Sequence, residues 1–187
     1  MSGPAGRMLT ECLVEADGWG AADGPLAELA RRAAVAAVGR GMTSSAPRKL
    51  PETELTVILT DDAAVRALNA QWRGKDRPTN VLSFPAATPE EIARARAGGP
   101  PLLLGDVVLA LETCRREAGD EGKPLADHLA HLVVHGVLHL LGHDHATEPE
   151  ADRMEALEVA VLAQLGIADP YGSAQLHAEV SAEDVRQ

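Results

Sequence analysis

The sequence is poor in aromatic residues, in cysteine and in positive charge. It has two Trp, one Tyr, one Phe and two Cys in 187 residues, and its 17 Lys and Arg against 28 Asp and Glu give a formal net charge of -11. Cys12 and Cys114 lie far apart and match no thiolate spacing, so the sequence predicts neither a disulfide framework nor a cysteine zinc site. Any metal would have to be held by histidine and carboxylate side chains.

The charge balance limits which partners are expected. Broad, nonspecific binding of nucleic acid normally needs a surplus of Lys and Arg, so an acidic chain argues against it, and no DNA partner is expected. A local basic cleft is still allowed, because the middle of the chain carries several cations. They are Arg66, Arg73, Lys75, Arg77, Arg94, Arg96, Arg115 and Arg116. With few aromatic side chains to stack on bases, RNA recognition is predicted to rely on shape and phosphates.

No stretch of the sequence approaches the length of a membrane span, and its first residues lack a charged segment followed by an apolar run. These features predict a cytoplasmic protein with no membrane partner. The length and the 45% hydrophobic content are those of one packed domain. We expect this domain over residues 1–167, followed by a polar, acidic and flexible tail over 168–187.

Hydrophobic periodicity and boundary residues predict an α/β or α+β fold, with a small mixed sheet and several helices. Strands are predicted at 9–15, 54–60, 81–85 and 102–112. A helix is predicted from Pro25 to Val38, with Gly39 and Gly41 beyond its end. Further helices are predicted at 62–72, capped by Asp61 or Asp62, within 88–99, from 112 to 141 with a break at 119–124, and at 152–165. The last has Met154, Leu157, Val161 and Leu165 at helical spacing, so this face is expected to pack on the core.

The most informative stretch is HGVLHLLGHDH, which begins at His135 inside an otherwise apolar helix. His135 and His139 are four residues apart, so their side chains share one helical face with Cβ atoms about 5–6 Å apart, close enough to bind one ion. Gly142 tolerates left-handed backbone angles, so it can end the helix and turn His143 or His145 toward the same ion. Three imidazoles would leave the fourth zinc position open, as in catalytic sites. The sequence therefore predicts a metal site at the end of a central helix.

The spacing of His135, His139, Gly142 and His145 also matches the HExxHxxGxxH pattern of metzincin proteases. Gly136 stands where those enzymes have the glutamate that activates water. Peptide hydrolysis by their mechanism therefore lacks its general base. A bound metal would still polarise a phosphoryl oxygen, as phosphodiester cleavage requires.

Three neighbouring residues have roles that the sequence leaves open. Asp144 either orients a water or a histidine ligand, or is a turn aspartate bonded to nearby backbone. His131 continues the histidine stripe but lies about 12 Å of helix rise from His139, too far to share one zinc with it. We interpret His131, and likewise His128, as a core residue or as a partner of the metal ligands.

Three segments carry a resemblance to a known family. They are HGVLHLLGHDH at 135–145, LNAQWRGKDRPTNVLSFP at 68–85 and LGDVVLA at 104–110. Over about residues 54–166, in this order of segments along the chain, the sequence resembles the YbeY family of rRNA maturation factors. It departs from the family at Asn80, where many members have aspartate, and at His143, where many have tyrosine.

The resemblance implies that His135, His139 and His145 bind one zinc ion and that Arg73 faces the metal cleft. It also implies a single-strand-specific endoribonuclease that acts in 16S rRNA 3′-end maturation and ribosome quality control, with the ribosome or its small subunit as partner. Arg73 suits this chemistry because a guanidinium binds phosphate bidentately and stabilises developing charge. The predicted catalytic residues are therefore Arg73 and Asp144.

No residue is an obvious general base, and two alternatives stay open. One is a ribosome-assembly binding factor with weak nuclease activity, and the other is a metal-dependent hydrolase of peptides or small molecules. Lys75 and Arg77 are predicted to add charge that positions phosphates, or to form surface ion pairs. Ser83 and Phe84 are predicted to line the cleft, although packing at a strand end explains Phe84 equally well.

Overall fold

A four-stranded mixed sheet forms the centre of the structure, a computed structural model that describes residues 8–42 and 51–172. The strands are β1 (Met8–Val14), β2 (Thr53–Thr60), β3 (Val81–Pro85) and β4 (Leu102–Ala110). They lie in the order β1-β2-β4-β3, with β1, β2 and β4 parallel and β3 antiparallel to β4 at one edge. The predicted mixed sheet is therefore confirmed.

The described residues also form six α-helices, at positions close to the predicted ones. They are α1 (Pro25–Met42), α2 (Asp62–Arg73), α3 (Pro89–Arg96), α4 (Leu111–Asp120), α5 (Leu125–Leu140) and α6 (Glu148–Gln164). Together with the sheet they confirm the predicted α/β fold. None of these helices is long and apolar enough to cross a membrane.

Capping residues explain where two of the helices begin. The Asp61 side chain accepts a 2.8 Å hydrogen bond from the Ala64 N–H and so caps α2. Thr147 and Glu150 form a capping box at the start of α6. This box explains why α6 begins before the predicted residue 152.

The first helix runs past its predicted end. Gly41 was expected beyond the helix, but it lies within α1. A Cβ atom at Gly41 would lie 2.5 Å from Leu141 Cδ1 and 3.1 Å from Leu138 Cδ2. The missing side chain therefore allows α1 and the end of α5 to approach closely, and here glycine serves helix packing rather than helix termination. The predicted end at Val38 was wrong for this reason.

The central helix α5 is buried between the sheet and other helices. It packs against α1, α4, α6, β3 and β4. Alternate residues of the sheet, such as Val57 and Val107, meet it within the main core, while α2 covers part of the opposite face through Val65. From residue 128 to its end, α5 leaves three residues partly exposed, namely His131, His135 and His139. The predicted histidine stripe is thus the accessible edge of an otherwise buried helix.

The last helix closes the core and leads into the predicted tail. Met154 and Val161 of α6 are buried, as their helical spacing predicted. Of the tail predicted over 168–187, residues 168–172 are described, and Tyr171 there contacts α5 and α6. The remaining residues of that tail lie outside the described ranges, so the tail prediction stays untested.

Candidate metal centre and its cleft

Two histidines of α5 face the same point from successive turns of the helix. The Nε2 atoms of His135 and His139 lie 3.1 Å apart, and the ring centroids are 4.5 Å apart. In a tetrahedral site with metal–nitrogen bonds of about 2.0–2.1 Å, two ligand nitrogens lie roughly 3.3 Å from each other. The observed spacing therefore suits two ligands of one ion.

A glycine turn at the end of α5 brings the chain back toward this pair. Gly142 has φ 85° and donates its N–H to the His139 carbonyl over 2.9 Å. The N–H of His143 donates to the Leu138 carbonyl over 3.0 Å. These two bonds form a Schellman motif, which requires a left-handed residue at the position of Gly142. The turn predicted from Gly142 is present.

The turn delivers His145, and not His143, to the pair on α5. The His145 ring centroid lies 5.6 Å from that of His135 and 5.1 Å from that of His139. His143 instead faces α1, where a Cβ atom on Gly41 would lie 3.7 Å from its Nε2. Of the two third ligands that the sequence left open, the structure brings only His145 to the site.

The three imidazoles could hold a metal ion. One ligand nitrogen from each of His135, His139 and His145 lies within 4.8 Å of the other two. Within the described ranges, this is the one group of three histidine, cysteine or acidic residues with that property. The donor set is three nitrogens with no carboxylate or thiolate, a set that suits zinc among the common divalent ions.

Asp144 lies in the turn between the histidines. Its Oδ1 accepts a 2.8 Å hydrogen bond from the backbone N–H of His145. This contact is the turn interaction that the sequence offered as one of two roles for Asp144. Asp144 is not among the described residues that line the neighbouring cleft. Its catalytic role therefore stays a prediction.

A buried carboxylate stands behind the metal ligands. Glu158 of α6 is 1% exposed. The Nδ1 of His135 lies 2.8 Å from its Oε1, and the Nε2 of His131 lies 3.0 Å from its Oε2. The hydroxyl of Tyr171 also donates a hydrogen bond to Oε2. Glu158 therefore connects the histidine stripe of α5 to α6 and to the segment that follows it.

The ionisation of Glu158 determines how the His135 ring is protonated. Burial alone would raise the pKa of Glu158, but hydrogen bonds from the two histidines and from Tyr171 outweigh burial and lower it to about 2. An ionised carboxylate cannot donate, so the Nδ1 of His135 must carry the hydrogen. The Nε2 lone pair of His135 is then free toward the other two imidazoles. A carboxylate in this position orients a metal-binding histidine and raises its basicity.

Electrostatics at His139 favour the form that binds metal. Burial lowers the pKa of His139 below its ordinary value, and the charges on His135 and His145 lower it further. Both effects disfavour the protonated ring. Metals bind neutral imidazole, so His139 is biased toward its ligand form before an ion arrives.

The three histidines open onto a cleft of about 460 Å³. Besides the histidines, it is lined by residues of β3, of the loop before β3 and of the end of α2. They are Arg73, Thr79, Asn80, Val81, Leu82, Ser83 and Pro85. The structure thus brings Arg73 and the histidine cluster to one cavity, as the sequence predicted. Ser83 lines the cleft, whereas Phe84 is not among its lining residues and packs against the apolar cluster that includes Val65 and Val108.

Arg73 is available for a ligand. It is the last residue of α2 and is exposed. The neighbouring acid, Asp76, is held by Arg66 through hydrogen bonds of 2.7 and 2.9 Å. Within the part of the chain that the structure describes, no ion pair involves Arg73. Its guanidinium is therefore not neutralised by a nearby carboxylate.

The glycine after the first ligand lies where a helix and a strand meet. A Cβ atom at Gly136 would lie 2.6 Å from Val107 Cγ1 and 3.1 Å from Ser83 Oγ. The hydroxyl of Ser83 also donates a 3.0 Å hydrogen bond to the Gly136 carbonyl. A glutamate at this position, as in metzincins, would have to displace the side chains of Val107 and Ser83. The sequence lacks the glutamate that would be the general base, and the packing at Gly136 leaves no room for one.

Sequence reasoning missed Glu158 and a neighbouring polar network. In that network, the Glu117 carboxylate accepts from Asn80 over 3.0 Å and lies 2.9 Å from the buried His128. A signal for Glu158 did exist, because it lies between Met154 and Val161 on the face of α6 that was predicted to be apolar. A charged residue on such a face needs a buried partner.

The fold and the site together define a mixed α/β protein with a three-histidine cleft that can hold a metal ion. The sequence profile of the family described as Endoribonuclease YbeY matches residues 30–166. The chain belongs to this family. Membership confirms the resemblance and the enzyme class it implied, an RNA-cleaving hydrolase.

Individual relatives agree over most of the chain. An Endoribonuclease YbeY of Nitrobacter winogradskyi is 53% identical over 163 residues, which cover 87% of this chain and 82% of the relative. One from Paramagnetospirillum magneticum is 62% identical over 119 residues, covering 64% and 71%. A solution structure of a Thermotoga maritima protein has TM-score 0.52 at 21% identity, covering 87% of this chain and 98% of that one. This last likeness concerns the fold alone.

Proposed function

We propose that this chain is a zinc-dependent, single-strand-specific endoribonuclease that cleaves ribosomal RNA in the cleft between α5 and β3. The observation that carries the proposal is a cluster of three imidazole nitrogens within 4.8 Å of one another, in a cleft also lined by Arg73. A metal and a guanidinium can both stabilise charge on phosphoryl oxygens, which is what phosphodiester cleavage needs. The name Endoribonuclease YbeY of the relatives supports the same activity.

The ligands in this proposal are His135, His139 and His145. A zinc ion held by them would supply Lewis acidity toward a phosphoryl oxygen and toward the attacking water. Glu158 holds the His135 ring with its Nε2 directed to the site. Asp144 holds the backbone of His145 in the turn, so we assign it a positioning role.

Arg73 binds the phosphate in this proposal. Its fork of N–H groups can contact two phosphoryl oxygens at once, and the charge that develops on them in the transition state strengthens the contact. Arg73 has no ion-pair partner among the described residues, so binding phosphate costs no existing salt bridge. Lys75 and Arg77 follow in the same exposed loop and add positive charge beside the cleft.

The size of the cleft supports a single-stranded substrate. At about 460 Å³ it is comparable to a small-ligand pocket. A flexible unpaired strand can lower one phosphate and its neighbours into such a cleft, whereas a stacked duplex would first have to be deformed. Duplex RNA of the same sequence should therefore be cleaved much more slowly.

The acidic chain supports a substrate presented by a larger partner. A net charge of -11 repels free RNA at long range, so weak general affinity for RNA is expected. We propose that the small ribosomal subunit in the cytoplasm supplies the contacts that bring 16S rRNA to the cleft, and that 3′-end maturation and ribosome quality control are the processes served. The family resemblance supports this assignment.

One observation favours a second candidate. Among the residues that the structure describes, no carboxylate lines the cleft, so these walls offer no general base for water activation. A ribosome-assembly factor that binds RNA and cleaves it weakly would need none. The third alternative is a metal-dependent hydrolase of peptides or small molecules, and the packing at Gly136 argues against its peptide form by the metzincin mechanism.

A cleavage assay tests the proposal. Purified protein is incubated with zinc and a single-stranded RNA from the 16S 3′ region, in parallel with the duplex form and with a casein-type peptide. His139→Ala, Arg73→Ala and chelated protein are compared with Arg32→Ala, which removes an exposed arginine from α1 far along the chain. Metal content is measured on every sample.

The outcomes separate the candidates. Single-strand cleavage that survives Arg32→Ala and disappears in His139→Ala, Arg73→Ala and chelated protein supports the proposal. Association with the small subunit that persists in His139→Ala, without cleavage by any sample, supports the assembly factor instead. Peptide cleavage without RNA cleavage, or protein that retains no metal, overturns the proposal.

A further inference from the structure

One aromatic side chain is left largely in solvent directly before Arg73, which lines the cleft. Trp72 is 65% exposed, whereas the chain's other tryptophan, Trp19, is 2% exposed and donates its indole N–H to the Thr60 carbonyl over 2.8 Å. Tryptophan usually buries most of its large apolar surface. An exposed tryptophan beside a functional cleft therefore points to a surface used for binding.

Trp72 is supported from one side. Its ring lies 6.2 Å from the ring of Phe84, centroid to centroid, at an interplanar angle of 67°. Phe84 packs in turn against the small apolar cluster that includes Leu82 and Val108. In such an edge-to-face contact one ring presents its edge to the other, so the indole keeps open surface while resting on a packed base.

The sequence neighbours of both aromatic residues line the cleft. Trp72 directly precedes Arg73 at the end of α2, and Phe84 lies between Ser83 and Pro85 in β3. Arg73, Ser83 and Pro85 all line the cleft. Because β3 is an edge strand, no further strand among the described residues pairs with its outer side, between the cleft and the indole.

The charge around Trp72 indicates the chemistry of its partner. Arg73, Lys75 and Arg77 are exposed in the segment that follows it. A planar apolar surface next to several cations suits a polyanion that carries flat aromatic groups. Unpaired nucleic acid has both properties, since its bases stack on aromatic side chains while its phosphates meet Arg and Lys.

We infer that Trp72, resting on Phe84, is a stacking platform for an unpaired nucleobase that flanks the phosphate held in the cleft. The inference rests on the proposed function, because it requires an RNA strand in the cleft. It adds a contact that the low aromatic content of the sequence argued against. It also gives a physical reason for preferring unpaired RNA, since a base within a duplex is already stacked and cannot reach the indole.

The test measures binding of a short single-stranded RNA to the zinc-loaded protein. Trp72→Leu keeps an apolar side chain but removes the aromatic face, and Trp72→Phe restores an aromatic face. Leu103→Ala is the matched control, since Leu103 is an exposed apolar residue of the sheet (60%) that does not line the cleft. An abasic oligonucleotide of equal length reports the phosphate contacts alone. Circular dichroism verifies that each variant is folded.

Loss of one base stack should weaken RNA binding about 5- to 100-fold in Trp72→Leu. Trp72→Phe should bind within a few-fold of the original protein, and Leu103→Ala should be unchanged. The abasic strand should bind Trp72→Leu and the original protein equally. RNA should also shield Trp72 fluorescence from an aqueous quencher, while the buried Trp19 contributes a constant background.

Each contrary result has one meaning. If the original protein binds and cleaves RNA but Trp72→Leu binds it equally well, the stacking inference is overturned and the proposed function stands. If Trp72→Leu fails to fold, the quenching measurement on the original protein decides alone, and unchanged quenching with bound RNA overturns the inference. If the original protein neither binds nor cleaves single-stranded RNA, the proposed function fails and the stacking inference fails with it. Cleavage of RNA by the original protein without any shielding of Trp72 overturns the stacking inference alone. Binding of an apolar peptide that shields Trp72 when RNA does not would assign the surface to a protein partner.

Discussion

His135 donates its Nδ1 hydrogen to Glu158 over 2.8 Å, across the interface between α5 and α6. The two residues are 23 positions apart in sequence, and neither the helical spacing of the histidines nor their motif involves Glu158. This contact selects the tautomer in which Nε2 of His135 can bind a metal. The metal site therefore extends into a helix that contributes no ligand.

Replacing Glu158 should weaken metal binding without removing a ligand. We expect Glu158→Gln to lower the affinity for zinc about 10- to 100-fold, the usual effect of losing the group that orients a histidine ligand. Competition with a chromophoric chelator measures the affinity. Glu155→Gln, an exposed acid of the same helix, serves as control and should bind zinc normally. Unchanged affinity in Glu158→Gln would show that the contact does not tune the site.

The Glu158 carboxylate should make the free energy of unfolding depend on pH. The pKa of Glu158 is about 2 in the folded protein, below its ordinary value of about 4.3. A carboxyl group whose pKa is lowered by folding stabilises the fold at pH values above its ordinary pKa. This stabilisation is lost as the pH falls toward 2. In metal-free protein, Glu158→Gln should therefore be less stable than the original at pH 6, and the difference should shrink between about pH 4.5 and 2. Denaturant unfolding at several pH values measures it, and a difference that does not change with pH contradicts the assignment.

Two glycines should respond in opposite ways to the same substitution. Gly136→Ala places a Cβ atom 2.6 Å from Val107, and overpacking of this kind costs about 1–3 kcal/mol. Gly39→Ala, within α1, meets nothing within 4 Å and should stabilise by about 0.5–1 kcal/mol, because alanine favours helix over glycine. Thermal and denaturant unfolding give both values. Equal effects of the two substitutions would show that the contact at Gly136 is not tight.

The guanidinium geometry of Arg73 should matter beyond its charge. Arg73→Ala should reduce kcat/KM for RNA about 100- to 1000-fold, the range seen when one donor to a developing oxyanion is removed. Arg73→Lys keeps the charge but loses the two-pronged contact, so an intermediate loss is expected. Steady-state cleavage kinetics at constant salt distinguish these cases. Full activity in Arg73→Lys would indicate that charge alone is needed.

Local signals account for most of the fold and for part of the site. The helix predicted at 62–72 and the strand predicted at 54–60 are both present, because helix capping by Asp61 and strand burial are set by neighbouring residues. The pairing of His135 with His139 followed from helical spacing in the same way. The choice of His145 over His143 did not, because it depends on a turn whose second hydrogen bond directs His143 toward α1.

Contacts between distant segments account for what the sequence did not predict. The extension of α1 through Gly41 follows from the close approach of Gly41 to Leu141, which lies 100 positions later in the sequence. The role of Glu158 requires knowing that α6 lies against α5. Such contacts leave only weak local traces, such as a glycine inside a helix or an acid on an apolar face.

The direct approach of α5 to β3 at Gly136 has a consequence for the dimensions of the cleft. The Ser83 hydroxyl bonds directly to the Gly136 carbonyl, and Val107 occupies the space that a Cβ atom would need. The wall bearing Ser83 is therefore tied to the backbone of α5 one residue after the ligand His135. A side chain at position 136 should thus alter the spacing between the imidazoles and this wall as well as the stability of the fold.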